Sequence, residues 1–339
     1  MAITLEESKV GMADHVEQAV IDEFRRGSYL LDHLTFDNAV SPGTGGSTLV
    51  YGYTQLLTPS TAGFRQINSE YTSNEAKRTK KQCELKIFGG RYSVDRVIQD
   101  TSGSINEMSF QLQQKIKAAS NGFNYMVVNG DSTANSEQFD GLDVLLTGSS
   151  TEYKERIGLD ISDSNKLDDN YKTFLDALDE FLSGLDGKPS ILIGNSKLIT
   201  KIKACARRAG YYTRSENAFG QTIGGYDGIP LIDLEEYYNG TASVPVVPVY
   251  DSETLSGLTD LYAVSLGLDA FHAVSPTGNK IIRNYLPDMS QPGAVKSGEV
   301  EMVAGVALKN SRKAGVFRGI KVKPTVTAPK EEEEAGNES

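Results

Sequence analysis

Acid–base, nucleophilic or metal chemistry at neutral pH would have to rest on three histidines, His15, His33 and His272, and two cysteines, Cys83 and Cys205. None of the five stands in a context that such chemistry needs. The chain has no GxSxG elbow and no HExxH, and no histidine has an obvious serine or cysteine partner in sequence. His33 lies between Asp32 and Asp37, the ingredients of a metal site, but reads as a half-exposed turn. Gly184-Leu185-Asp186-Gly187-Lys188 has two residues between its glycines where a phosphate loop has four. Pro189 replaces the magnesium-binding hydroxyl, and a helix precedes the segment rather than follows it. Asp160-Ile161-Ser162-Asp163-Ser164-Asn165 has the carboxylates of a calcium loop, but Asn165 stands where glycine is required, so a solvated loop is expected. Both cysteines read as small buried hydrophobes, Cys83 in a strand and Cys205 in a helix. The expectation is a protein with no catalytic centre, metal or cofactor.

Two basic groups could instead do binding. Lys77, Arg78, Lys80 and Lys81 form a knot at the end of a polar stretch, and Lys201, Lys203, Arg207 and Arg208 share one helix. The net charge is −11, so the chain lacks the basic excess that tight polyphosphate binding requires. The first knot is expected to contact acidic groups on an adjacent copy. Arg207 and Arg208 are a second candidate contact, to acidic neighbours or nucleic acid, on a face that suits solvent better than either.

The elements that would carry these groups follow from hydropathy spacing. Asp14, Val16, Val20 and Phe24 predict an N-terminal helix closed by Gly27, after an arm over residues 1–13. Ser41-Pro42-Gly43-Thr44-Gly45-Gly46 is a break. Two β runs, 48–54 and the alternating Cys83, Leu85 and Ile87, bracket the polar stretch 58–79 as a long hairpin, marginal in water unless covered. Ser104 and Glu107 fit a capping box. Ile105, Met108, Leu112, Ile116, Ala119, Phe123 and Met126 then form one stripe on a helix from about 104 to 129, roughly 40 Å long at 1.5 Å per residue. A polar boundary is expected over 151–170, then an amphipathic helix over 171–186, the strand Ser190 to Gly194, and a helix capped by Asn195 or Ser196, the order of an α/β layer. Shorter β runs follow, with a final alternating stretch from Glu299 to Val322 and an acidic tail at Glu331 to Glu334.

At 339 residues, 39% hydrophobic and 23% charged, the chain reads as soluble and globular, with about two domains or one elaborated one. It has no apolar run long enough for a transmembrane helix, and its first residues lack the order of a signal peptide. Two cysteines suit a reducing compartment. The 33 glycines and 16 tyrosines suit many turns and broad amphipathic contacts.

The order arm, hairpin, long helix, α/β domain and return to β carries a resemblance. Glu84 to Asp100 runs into the helix, Asp100-Thr101 forms a corner, and Gly130-Asp131 and Gly141-Leu142 follow the helix. Gly228-Ile229-Pro230-Leu231 stands later. Over about residues 15–325 this resembles the major capsid proteins of tailed bacteriophages with the HK97-type fold. The resemblance implies an α+β chain with an N-terminal arm (1–46), an extended loop (47–92), a peripheral domain (93–168 and 276–325), an axial domain (169–275) and a tail (326–339). It further implies pentamers and hexamers closing into an icosahedral shell around double-stranded DNA, which the acidic chain would touch only weakly. A portal and a separate scaffolding protein are implied partners, decoration proteins are allowed, and no membrane is involved. The particle would assemble in the host cytoplasm and reside in the virion. Two other readings stand beside it: an encapsulin-like nanocompartment of the same fold, and an α/β binding protein or enzyme using residues 171–275.

Overall fold

The structure, a computed structural model, describes residues 29–38, 49–58, 60–101, 107–210, 213–216, 222–276, 282–288 and 290–324. The predicted N-terminal helix at Val16, Val20 and Phe24, the break at Ser41 to Gly46, Ser104 with Ile105, and the acidic tail lie outside the described residues.

The densest core is built on a seven-stranded sheet. Its strands are β5 (Glu152–Tyr153), β6 (Ile191–Gly194), β7 (Thr213–Glu216), β8 (Thr222–Tyr226), β9 (Ile229–Ile232), β12 (Leu258–Val264) and β16 (Ala314–Lys321), in the order β5-β16-β12-β6-β9-β8-β7. The central strands are apolar on both faces. Leu192, Leu261, Ala263 and Phe317 point to a layer made by α5 (Ser164–Ser183) and α6 (Ser196–Ala209). Ile191, Ile193, Tyr262, Val264 and Val316 point the other way, into a cluster with Leu30, Phe123, Val127, Leu142 and Leu146. A continuous apolar run is what a strand covered on both sides requires. The Asp227-Gly228 pair, at φ 48° and 70°, makes the left-handed turn between β8 and β9, which accounts for the Gly-Ile-Pro-Leu step.

Local signals set the two helices. Asp163 caps α5 by accepting from the Lys166 N–H at 2.9 Å, and Asn195 caps α6 by accepting from the Lys197 N–H at 3.0 Å. The stretch 160–165 is therefore a helix start rather than the expected solvated loop, and its Ile161 is fully buried. The expected boundary over 151–170 likewise contains β5, paired with β16. The helix read as starting at 171 starts at Ser164.

The second sheet runs along one long strand, β15 (Val295–Leu308). β4 (Lys86–Asp95) pairs with its first ten residues, β14 (Ile282–Tyr285) with Glu299 to Met302, and β13 (Phe271–Val274) with its last four; β1 (Phe36–Asp37) adds to β13. The long helix α3 (Glu107–Asn129) lies across β4 and β15, where Met108, Leu112 and Ile116 pack, half-buried, with Tyr92, Ala119 and Val300. Farther along, Phe123 and Val127 are fully buried. After the helix, the Gly141 N–H donates to the Gly130 carbonyl at 2.8 Å. A Cβ at Gly130 would stand 2.3 Å from the Phe139 carbonyl oxygen, so only glycine allows the chain to fold back there into α4 (Leu142–Leu146). This is the physical content of the Gly-Asp turn and Gly-Leu step.

Two expectations are adjusted. Cys83, Leu85 and Ile87 do not share one alternating strand. The ladder breaks at Leu85, β4 starts afresh, and its inward residues are Phe88, Tyr92 and Val94 while Ile87 is 64% exposed. The segment 276–325 is also divided: β14 and β15 join β4, but β16 lies inside the seven-stranded sheet.

Candidate assembly surfaces

β2 (Val50–Thr58) and β3 (Lys77–Glu84) form a two-stranded ribbon separate from both sheets, registered from Val50 with Glu84 to Thr58 with Lys77. Between them, residues 60–76 contain a single turn, with the Ser69 N–H on the Gln66 carbonyl at 3.2 Å. This tip carries the two most exposed large apolar side chains among the described residues. Phe64 is 110% exposed, Ile67 90% and Tyr71 66%, with the Arg65 guanidinium 5.3 Å over the Tyr71 ring. Lys77, Arg78, Lys80 and Lys81 are exposed on β3, and no ion pair holds them among the described residues. The ribbon therefore carries a basic stem and an apolar tip.

Its root is anchored differently. Tyr51 and Leu85 bury themselves against Val274 and Ala307. The Tyr51 hydroxyl donates to Asp37 Oδ2 at 2.8 Å, and the Lys309 ammonium sits 5.8 Å over the Tyr51 ring. β3 passes so close to β15 that a Cβ on Gly305 would lie 2.8 Å from Cys83 Sγ. Burial pushes the Cys83 thiol up to about 12, so it stays protonated and unreactive.

Arg208 behaves otherwise than its sequence face suggests. Its Nε pairs with Asp168 on α5, and its Nη2 reaches Ser164 Oγ at 3.3 Å. Lys201 donates to the Ser162 carbonyl at 2.6 Å, so half of this basic face ties α6 to α5, leaving Arg207 exposed. Beside Arg208 an open groove of about 750 Å³ is lined by Tyr171, Asp176, Asp179, Tyr226 and Asp227. Its Tyr226 hydroxyl donates to Asp179 at 2.6 Å, and it holds no histidine or cysteine. His33 stacks on Tyr29 at 3.9 Å, His272 is buried in β13, and His15 lies outside the described residues. Among the described residues no group of histidine, cysteine and carboxylate side chains could hold a metal, and no helix is long and apolar enough to cross a membrane.

Sequence reasoning missed the charge centre that ties three strands of the seven-stranded sheet to α4. Arg318 on β16 bonds Asp143 of α4, Asp260 Oδ2 at 2.9 Å and Glu152 Oε1 at 3.0 Å. The Tyr262 hydroxyl adds a bond to Asp143 at 3.0 Å, and that of Tyr250 one to Asp260 at 2.8 Å. Burial alone would raise the Glu152 carboxyl, but bonds from Lys154, the Gly148 N–H and Arg318 hold it below the usual carboxylate range.

No family model and no curated protein matches this sequence. Solved structures do. The SrpI encapsulin complex of Synechococcus elongatus PCC 7942 matches with a TM-score of 0.61 at 14% identity, over 96% of this chain and 99% of its own. A chain of Mycobacterium phage Bobi matches at 0.59 and 12% identity, over 96% and 100%. The capsid of a native GTA particle matches at 0.55 and 9% identity, over 94% and 100%. The fold is HK97-type. The ribbon corresponds to the extended loop of that fold and α3 to its spine helix. The proteins that share this fold here are structural shell proteins, not enzymes, and they come from phage, GTA and encapsulin particles alike.

Proposed function

We propose that this chain is the repeating subunit of a bacteriophage capsid. Pentamers and hexamers of it close into an icosahedral shell around double-stranded DNA, assembled in the host cytoplasm and carried in the virion. The observation that bears most weight is the extended loop: an exposed ribbon whose tip presents Phe64, Ile67 and Tyr71 with nothing among the described residues to cover them. Burying one such side chain is worth about 1.5–3 kcal/mol, so three favour a covering surface, and the surface that every subunit meets in a shell is a sibling. Lys77, Arg78, Lys80 and Lys81 then face acidic groups of that sibling, for which a net charge of −11 leaves ample supply. In this reading a portal and a separate scaffolding protein complete the assembly, and DNA is contained without being gripped.

Negative-stain microscopy of the purified protein tests the proposal: hollow particles or rings are expected, and dispersed single globules at high concentration would sink it. An encapsulin-like compartment is the second reading, supported by the match to the SrpI encapsulin at a TM-score of 0.61. Nuclease-protected double-stranded DNA inside particles from the native source supports the phage capsid, and enclosed protein supports the compartment.

A further inference from the structure

Beside the loop's root lies a buried titratable group. His272 lies in β13 with no exposed surface, and neither ring nitrogen makes a hydrogen bond of ordinary geometry among the described residues. The Tyr51 ring meets it at 84° with centroids 5.8 Å apart, and Tyr51 is the residue that seats β2. We infer that this contact is a proton-sensitive latch: the neutral imidazole holds the foot of the ribbon down, and protonation of His272 releases Tyr51 and with it the foot of β2 and β3.

The surroundings give the direction. The charged and titratable groups near the ring are Asp37 from β1, Tyr51 and Tyr53 from β2, Cys83 from β3, Asp269 before β13 and Lys309 after β15. Asp37 is already engaged by the Tyr51 hydroxyl at 2.8 Å. The Tyr53 and Cys83 groups remain neutral, both being pushed up by burial. Lys309 brings a positive charge to the same pocket. Burial and Lys309 together lower the His272 pKa, against the weaker pull of the Ala270 backbone, Asp37 and Asp269. A ring that cannot be charged in place must be charged by opening. The seated form therefore binds fewer protons than the open one. It is favoured above the ordinary histidine value of about 6.5 and loses ground below it, by at most about tenfold in the opening equilibrium per pH unit.

The latch belongs to the single chain and can fail or stand independently of the shell reading. Hydrogen exchange by mass spectrometry on the intact protein, in whatever state it purifies, tests it. Peptides covering 50–58 and 77–84 are followed from pH 7.5 to 5.0 with intrinsic rates removed, and 258–264 in β12 serves as the internal reference. The wild type is expected to lose protection by up to about 30-fold over that range in the ribbon's foot alone. His272→Gln and His272→Phe, each judged folded by β12 protection, are expected to flatten the profile to within about twofold. A wild-type profile that is already flat overturns the inference. So does a folded variant that keeps the wild-type dependence, which would assign it to a carboxylate such as Asp37.

Discussion

The seven-stranded sheet and the extended loop are both built from β-strands, yet they stand at opposite ends of self-sufficiency. In the sheet, Leu192, Phe317 and Val316 find partners on both faces within the chain. In the loop, two strands pair only with each other among the described residues, and the largest side chains at the tip stay exposed. The difference shows which surfaces the fold completes by itself and which it leaves for something else to complete. Damage to the sheet should appear as lost folding. Damage to the loop should appear as lost association with folding intact.

The sharpest way to break the first half of the comparison is Arg318→Met. It leaves Asp143, Glu152 and Asp260 facing one another without their shared cation, and should cost about 3–5 kcal/mol in urea unfolding at pH 7. The sign with pH is fixed. In the wild type Glu152 has a lowered pKa, so its contribution is present above the unfolded carboxylate range and is lost as pH falls through the folded value. In the variant the crowded carboxylates instead gain by protonation, so its deficit should shrink between about pH 6 and 4. A deficit independent of pH would show that the centre acts by packing alone.

Leu112→Asp comes next. Leu112 is only half-buried beneath the spine helix, so the charge is partly solvated and the expected loss is about 2–3 kcal/mol, read as a lowered melting temperature and soluble yield. Normal particles from this variant would show that the stripe contributes little.

On the loop, Phe64→Ser with Ile67→Ser should leave subunit unfolding within about 0.5 kcal/mol of wild type while lowering particle yield at least about tenfold. Equal losses in both measurements would erase the distinction between the two regions. The smallest effect is expected from charge reversal at Lys80 and Lys81. Exposed pairs contribute about 0–1 kcal/mol and are screened, so particles should weaken at low salt and recover at high salt. Unchanged yield at both salt levels would remove these residues from the contact.

What was legible in the sequence is what depends on near neighbours in the chain. Met108, Leu112, Ile116 and Phe123 announce the spine helix because steps of three and four place them on one face. The capping residue Asn195 and the strand Ile191 to Gly194 are equally local. The start of α5 was misread because Asp163 is as good a cap as it is a loop residue, and only the burial of Ile161 decides. The break at Leu85 was invisible because Cys83, Leu85 and Ile87 keep perfect alternation through a change of partner. Arg318 could not be found at all. Its partners sit at 143, 152 and 260, and the apolar run around it reads simply as a buried strand. The apolar side chains of the tip were readable, but a polar context hides how far they stand from any core.

β15 has a mechanical consequence. One end lies beside Asp95, the other passes beneath the ribbon's foot, and only residues 309–313 separate it from β16, the second strand of the other sheet. A load applied to the ribbon therefore enters a single girder rivetted into both layers, and the molecule should tilt as one lever instead of flexing at a joint.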